Sequence, residues 1–418
     1  MKGLTTSILL LSLIGPAAAQ PARSTSVSEV ALIQEFKGLA KPVARAPEAL
    51  QGEYARAVKY LLARMADRNT SSRRRLEGQG DLEAICLRAG RPGAEAERAA
   101  LCMALLPFLE GGAAEASRET VVRMLEYVGR AESVEALGKL LDGADKKVRE
   151  KARRALQNNP SPEAAERLRQ ALYRAAEPQW KVALINALGY RRDAASVEWL
   201  GKALKGKDEP TAMAAAAALG KIGGPKAIEA LNDVRLLALP RLRAEITGAL
   251  FACADRAAAG GDKETATTIY RKAYENPNEP KQNRIAALRS MVVVEPDRAL
   301  PVILTLLSGT DEAIIPVAMD LAREIPGRAA TKAFAAMVST VVSPTKKVAL
   351  IELLGARGDP AGREAVVDAL KGRKWQKETR EAVRLAVIKA LGGVGNEEDV
   401  LMLAGLAAQT IKGKEEEQ

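Results

Sequence analysis

The sequence contains no histidine, 3% aromatic residues and only three cysteines among its 418 residues. Without imidazole, a Ser-His-Asp or Cys-His nucleophile, a histidine-ligated zinc ion and a histidine-ligated haem are all excluded. The side chain best suited to proton transfer near neutral pH is also missing. Because 47% of the residues are apolar, the chain is still expected to fold. The composition therefore favours a folded protein without catalytic activity.

Long apolar runs are missing except at the N-terminus. Lys2 precedes an apolar run at residues 4–14, which Pro16 and three alanines at 17–19 follow. The run is too short to span a hydrocarbon core of about 30 Å as a helix. We predict a secretory signal peptide over residues 1–19 and a periplasmic or secreted mature chain that starts near Gln20. An uncleaved membrane anchor is the alternative, and no stable membrane insertion is expected.

The net charge is +11, from 63 basic and 52 acidic residues. The basic excess is spread along the chain and is not gathered into one arm. This distribution, together with the predicted export, argues against a nucleic-acid partner.

The cysteines offer one near pair, Cys86 and Cys102, which we place on helices flanking a turn at residues 91–93. An offset of roughly 4–5 Å along the helices, added to a helix separation of about 8–10 Å, is a poor fit for a disulfide. Because exported proteins often oxidise such pairs, the disulfide stays an open alternative. Cys253 is interpreted as a small buried apolar residue.

A repeat of 30 to 41 residues runs through most of the chain and is found from one apolar anchor position. The anchors are Leu125, Leu156, Leu188, Leu219, Leu250, Met291, Leu321, Leu354 and Leu391. The residue four before each anchor is also apolar, which predicts one buried helix face. Glycines follow several anchors, directly or four residues later, and we expect them to end these helices. A second helix then begins, so each unit is predicted to be a helix pair.

Basic residues recur seven before the anchor in seven of the nine repeats. They are Arg118, Arg149, Lys181, Arg243, Arg284, Lys347 and Arg384. Acids lie four residues earlier in three repeats, at Asp145, Glu177 and Asp208.

This pattern resembles the HEAT-repeat family, in particular its short bacterial form shared with phycobilisome-lyase-like repeats. The match is clearest at residues 194–224, where an apolar helix is followed by Ala215 to Leu219, Gly220 and Gly223. The resemblance implies an all-α α-solenoid, or superhelix, of about nine helix pairs. In this family the recurrent basic residue often pairs with the preceding acid and with turn carbonyls. A basic strip on the concave surface that faces an acidic partner is the alternative.

Five segments are predicted on this basis. They are a signal peptide (1–19), a disordered linker (20–26), an N-terminal helical cap region (27–112), a HEAT-like repeat array (113–411) and a disordered charged tail (412–418). Within the cap region we expect a helix from Ala46 to Met65, then a polar connection through residues 71–80. A cap of this kind covers the apolar end that a repeat array leaves open.

The three tryptophans and one serine motif complete the candidate residues. Trp180 and Trp199 are interpreted as core residues, and Trp375 as an exposed contact in a polar loop. Ser343 and Lys346 match the Ser-x-x-Lys spacing of penicillin-binding enzymes, but Ser343 followed by Pro344 is a good helix start.

We therefore expect a non-catalytic exported scaffold that binds a partner protein along its concave surface, without metal or cofactor. The candidate partner-binding or structural residues are Arg149, Lys181, Arg243, Arg284, Lys347 and Arg384, with Trp375 as a candidate contact. A cell-envelope binder of anionic polymer or membrane surface is one alternative, and a bilin-lyase-like enzyme is another. The sequence does not indicate the oligomeric state.

Overall fold

The computed structural model describes residues 47–67, 69–110, 115–312, 314–371, 376–405 and 408. The described residues form two compact units, which divide between Arg167 and Leu168 within one helix. Every regular element in the described ranges is helical. The all-α helical-repeat fold predicted from the anchor spacing is therefore confirmed.

The first unit is built from helices α1 to α6 and the start of α7. Their bounds are α1 (Pro47–Ala66), α2 (Ser72–Ala89), α3 (Glu95–Leu105), α4 (Glu115–Val128), α5 (Ala131–Leu141), α6 (Lys146–Asn158) and α7 (Pro162–Arg174). Helix α1 packs against α2 and α3, and α6 packs against α4 and α5.

The second unit begins within α7 and continues as a stack of helix pairs. Its helices are α8 (Pro178–Tyr190), α9 (Val197–Leu204), α10 (Glu209–Ile222), α11 (Pro225–Arg235), α12 (Pro240–Ala259), α13 (Lys263–Glu275), α14 (Lys281–Val294), α15 (Pro296–Ser308), α16 (Ile315–Glu324), α17 (Arg328–Thr340), α18 (Pro344–Arg357), α19 (Arg363–Asp368) and α20 (Lys377–Val394). Helices α8, α10 and α12 carry successive anchors and pack side by side, as do α18 and α20. This packing of equivalent helices is what a repeat array requires.

The nine anchors lie in nine different helices, and all of them are buried. Eight of the nine residues four before the anchor are buried too, and Val317 is the half-buried exception. Each first helix of a pair therefore turns one apolar face inward, as the spacing of one helical turn predicts.

The glycines that directly follow the anchors do not end the helices, so that prediction was wrong. Gly189, Gly220 and Gly355 lie inside α8, α10 and α18. A β-carbon at Gly220 would lie 2.8 Å from the Cα atom of Ala249 in the next first helix. Gly189 faces Ala218 and Gly355 faces Ala390 in the same way. These glycines therefore permit close contact between neighbouring first helices.

Left-handed backbone occurs at two of the glycines four past the anchor. Gly223 has φ 72° after α10, and Gly358 has φ 62° after α18. A residue with a β-carbon is strained in this region, which explains glycine at these helix ends.

The predicted N-terminal helix over residues 46–65 is confirmed by α1, which buries Tyr54, Ala57 and Leu61. The polar connection predicted for residues 71–80 is wrong, because α2 runs through it. The Ser71 side chain accepts a hydrogen bond from the Arg74 amide and caps this helix. The segments predicted for residues 1–26 and 412–418 lie outside the described residues, and the proposed domain bounds stay predictions.

Candidate functional site

The predicted basic series lies near the start of the first helix of each pair. Arg149, Lys181, Arg243, Arg284 and Arg384 are half-buried, and Lys347 is buried. The structure places the six residues in six different helices and does not gather them into one cluster. Their partial burial favours structural roles within the repeats over an exposed strip.

Two members of the series bind backbone carbonyls of the segment that precedes their helix. The Arg243 guanidinium donates to the Ala238 carbonyl over 3.0 Å. Arg284 donates to the Tyr274 carbonyl over 2.8 Å, and its guanidinium carbon lies 5.6 Å from the centre of the Tyr274 ring. Each contact fixes a first helix to the helix or turn before it.

Other basic residues, which the sequence did not single out, join consecutive repeats. Arg357 at the end of α18 donates to the carbonyls of Ala322 and Ile325 at the end of α16, over 2.9 and 2.6 Å. In the first unit, Arg98 donates to the Val128 carbonyl over 2.7 Å. These cations satisfy carbonyls that a helix end leaves without intrahelical partners.

A buried ion pair connects the end of α11 with the turn before α14. Arg235 and Glu279 meet with a nitrogen–oxygen distance of 2.6 Å, and their side chains are 9% and 1% exposed. Thr247 and Asn283 also donate to the Glu279 carboxylate. Burial opposes ionisation of Glu279, but the bonds from Arg235 and Asn283 outweigh it and lower the pKa of this carboxyl. Glu279 is therefore ionised, and its role is to join the end of α11 to the turn before α14.

Two further carboxylates are held by arginines in the same manner. Asp399 accepts a bidentate contact from Arg363 at 2.7 and 2.8 Å, which lowers its pKa. Glu97 contacts Arg88 and Arg91, each at 2.9 Å, and these bonds lower its pKa against the opposing effect of burial. An ionised, paired carboxylate cannot donate a proton near neutral pH, so these groups are not general acids.

The cysteines are free and buried. Burial raises the pKa of Cys102 to about 12 and that of Cys253 to about 11, and it raises the pKa of Cys86 further. Thiols in this state are protonated and unreactive at neutral pH. Within the described ranges no group of three or more Cys, Asp or Glu side chains could hold a metal ion.

The Ser-x-x-Lys motif forms a helix start. The Ser343 hydroxyl accepts a hydrogen bond from the Lys346 amide at 3.4 Å and caps α18. The Lys346 ammonium donates hydrogen bonds to the carbonyls of Leu307 and Gly309. Lys346 therefore joins α18 to the end of α15, which favours the structural interpretation of the motif.

Two of the tryptophans, Trp180 and Trp199, are less buried than predicted. Trp180 and Trp199 are half-buried, so neither is fully in the core as expected. The Trp199 ring meets the exposed ring of Tyr173 edge to face at 6.5 Å between centroids. Trp375 lies outside the described residues.

Three exposed leucines lie close together in one turn of the second unit. Leu236, Leu237 and Leu239 lie in the turn between α11 and α12 and are 75%, 88% and 76% exposed. We call residues 236–239 the leucine turn. Sequence reasoning missed it, although an apolar run directly before Pro240 was a visible signal. A concentrated apolar surface of this kind is typical of an interaction site.

Comparison with known families identifies the repeats. A model of HEAT repeats matches residues 103–181 and 166–250. Residues 103–250 are therefore similar to HEAT repeats, which confirms the resemblance over this part of the chain. No curated protein matches the chain.

Solved structures of helical proteins resemble the chain distantly. Human deoxyhypusine hydroxylase is 19% identical, with 65% of this chain and 98% of that chain covered and a TM-score of 0.29. A homology model of the full-length AP-3 complex in an intermediate open conformation is 12% identical, with 88% and 74% covered and a TM-score of 0.42. A Kap121p mutant is 10% identical, with 90% and 54% covered and a TM-score of 0.41. Similarities this low transfer no function to this chain.

No helix in the described ranges is both long and apolar enough to cross a membrane.

Proposed function

We propose that this chain is an exported, non-catalytic scaffold that binds a partner protein. The observation that carries the proposal is the HEAT-repeat architecture, because stacked helix pairs present extended surfaces to partner proteins. The ion pairs at Glu97, Glu279 and Asp399 support it, since these carboxylates are engaged in holding helices together.

Export is proposed from the N-terminal sequence. A basic residue, a short apolar run and small residues at 17–19 have the order of a cleavable secretory signal. N-terminal sequencing of the protein recovered from the periplasm or the medium tests this. We expect a new terminus near Gln20, whereas an intact Met1 on the recovered protein would contradict export by cleavage.

Partner binding is tested by affinity capture of the full chain from envelope extract at two salt concentrations. We expect one protein to be retained at both, and to re-form a complex of fixed stoichiometry after separate purification. Binding to anionic polymer or membrane surface would weaken steeply with ionic strength. Recovery of polymer or lipid without a stoichiometric protein would overturn the scaffold proposal.

A further inference from the structure

The leucine turn departs from a position that other repeats use for helix capping. Eleven residues before the anchor lie Asp145, Asp208 and Ser343, and each caps its helix through a side-chain hydrogen bond. Leu239 occupies this position before α12 and offers no such bond. Replacing a capping residue by an apolar one costs helix stability. Leu239 therefore leaves α12 without the side-chain cap that these three helices have.

An open groove lies beside the leucine turn. It has a volume of about 720 Å³, and its apolar walls include Leu204, Val234, Leu237, Leu239 and Leu242. The turn before α10, residues 205–208, forms the opposite side. The groove is therefore bounded by two successive inter-repeat turns, one polar and one apolar.

The groove and the two turns beside it carry one positive charge in excess. The cations are Lys205, Lys207, Arg241 and Arg243, and the acids are Asp208, Glu209 and Asp233. Lys205 lies 3.4 Å from Asp233, and Arg241 lies 3.9 Å from Glu209, so both acids that line the groove already face a cation. Lys207 is exposed, and no acid is paired with it in the described part of the chain.

Arg243 adds a further cation beneath the turn. Its guanidinium holds the Ala238 carbonyl, and its Nε atom is buried without a hydrogen-bond partner among the described residues. Arg243 and Ala212 are equivalent positions in two successive repeats. Four residues earlier, the repeat with Ala212 has an acid, Asp208, whereas the repeat with Arg243 has Leu239. The apolar groove therefore has a small excess of positive charge around it.

We propose that the leucine groove binds an acidic amphipathic segment of the partner protein, with apolar side chains on the leucines and a carboxylate near Lys207. This inference rests on the proposed scaffold function and specifies its partner. A helix with apolar residues at i, i+3 or i+4 and i+7 presents one apolar stripe of the kind that lies in such grooves. The excess of positive charge favours acidic over basic segments and speeds their association.

The first test uses a displayed library of random peptides of about 16 residues, long enough for roughly four helical turns. The full chain is the target, and the Leu237→Asn/Leu239→Asn double variant is the counter-target. We expect enriched peptides to carry apolar residues at helical spacing beside Asp or Glu. Absence of enrichment, enrichment shared with the double variant, or basic flanking residues would overturn the proposal.

The second test measures the affinity of an enriched peptide by fluorescence anisotropy. The double leucine variant should bind at least about tenfold more weakly, because two apolar contacts are lost. Lys207→Glu should weaken binding about three- to tenfold and reduce its dependence on salt. Matched controls are Leu401→Asn, an equally exposed leucine, and Lys221→Glu, an exposed lysine. Equal losses in the controls would contradict a defined site.

The inference and the proposed function fail in different ways. If the captured partner binds the double leucine variant as well as the unaltered chain, the scaffold function stands and the leucine groove is not its site. If no partner is captured but acidic peptides bind the groove, the site stands and the scaffold proposal fails. The thermal unfolding midpoint of each variant shows whether a loss of binding comes from the site or from misfolding.

Discussion

Two neighbouring regions of the second unit, the end of α11 and the turn that follows it, have opposite chemistry. Arg235 is buried in an ion pair with Glu279, and Thr247 and Asn283 donate hydrogen bonds to the Glu279 carboxylate. The next residue, Leu236, is three-quarters exposed. One region joins helices through a buried ion pair, whereas the other displays leucine side chains to solvent. The buried ion pair thus lies directly before a turn that buries Ala238 and exposes its three leucines.

The largest expected effect comes from breaking the ion pair of Arg235 and Glu279. Glu279→Ala leaves the Arg235 charge buried without its partner, which should lower the free energy of unfolding by about 3–5 kcal/mol. Urea unfolding followed by circular dichroism measures this. The control is Arg235→Met/Glu279→Met, which removes both charges and should be near neutral or stabilising. A loss below about 1 kcal/mol for Glu279→Ala would show that the ion pair is not important for stability.

Low pH should weaken the ion pairs of buried or paired carboxylates such as Glu279 and Asp399. The pKa of Glu279 and that of Asp399 are lowered in the folded chain, so folding favours their ionised forms. Their stabilising effect is fully present above the ordinary carboxyl pKa of about 4 and is lost as pH falls through the lowered values. With no histidine, the sequence has no side chain whose ordinary pKa is about 6.5. Unfolding midpoints should be nearly constant from pH 8 to about 5 and then fall, and a rise on acidification would contradict this account.

Close packing between first helices should give an intermediate effect. Gly220→Ala places a β-carbon 2.8 Å from Ala249 Cα, and overpacking of this kind costs about 1–3 kcal/mol. Gly248→Ala is the matched control, because its β-carbon would meet nothing within 4 Å on the exposed side of α12. That variant should gain about 0.5–1 kcal/mol from helix propensity. Equal effects of the two substitutions on the urea midpoint would remove the packing argument.

The periodic part of this fold could be predicted from the sequence. The nine anchors predicted nine buried positions, because a residue inside a stack of helices must be apolar in every repeat. The role of Gly220 could not be predicted, because a sequence does not distinguish a glycine that ends a helix from a glycine that allows close contact between helices. Which pairs of repeats touch decides between them, and that is a tertiary property.

The candidate site was less predictable than the fold. The recurrence of Arg243 and its equivalents drew attention to charges that are half-buried in the structure. The leucine turn breaks the repeat at Leu239, and a search for what recurs passes over such a departure. Departures from a local rule without structural compensation are where function is expected. The exposure of the leucines depends on how the turn is held, which the sequence does not show.

The most direct test of the central claim, that the leucine turn is kept apolar at the expense of the fold, is the urea midpoint of Leu239→Asp. This substitution restores the residue that caps α10 at Asp208. We expect stability to rise by about 0.5–1 kcal/mol, and Asp208→Ala, the reverse change, to lower it by about 1 kcal/mol. A lower midpoint for Leu239→Asp would show that Leu239 stabilises the fold, and would contradict the claim.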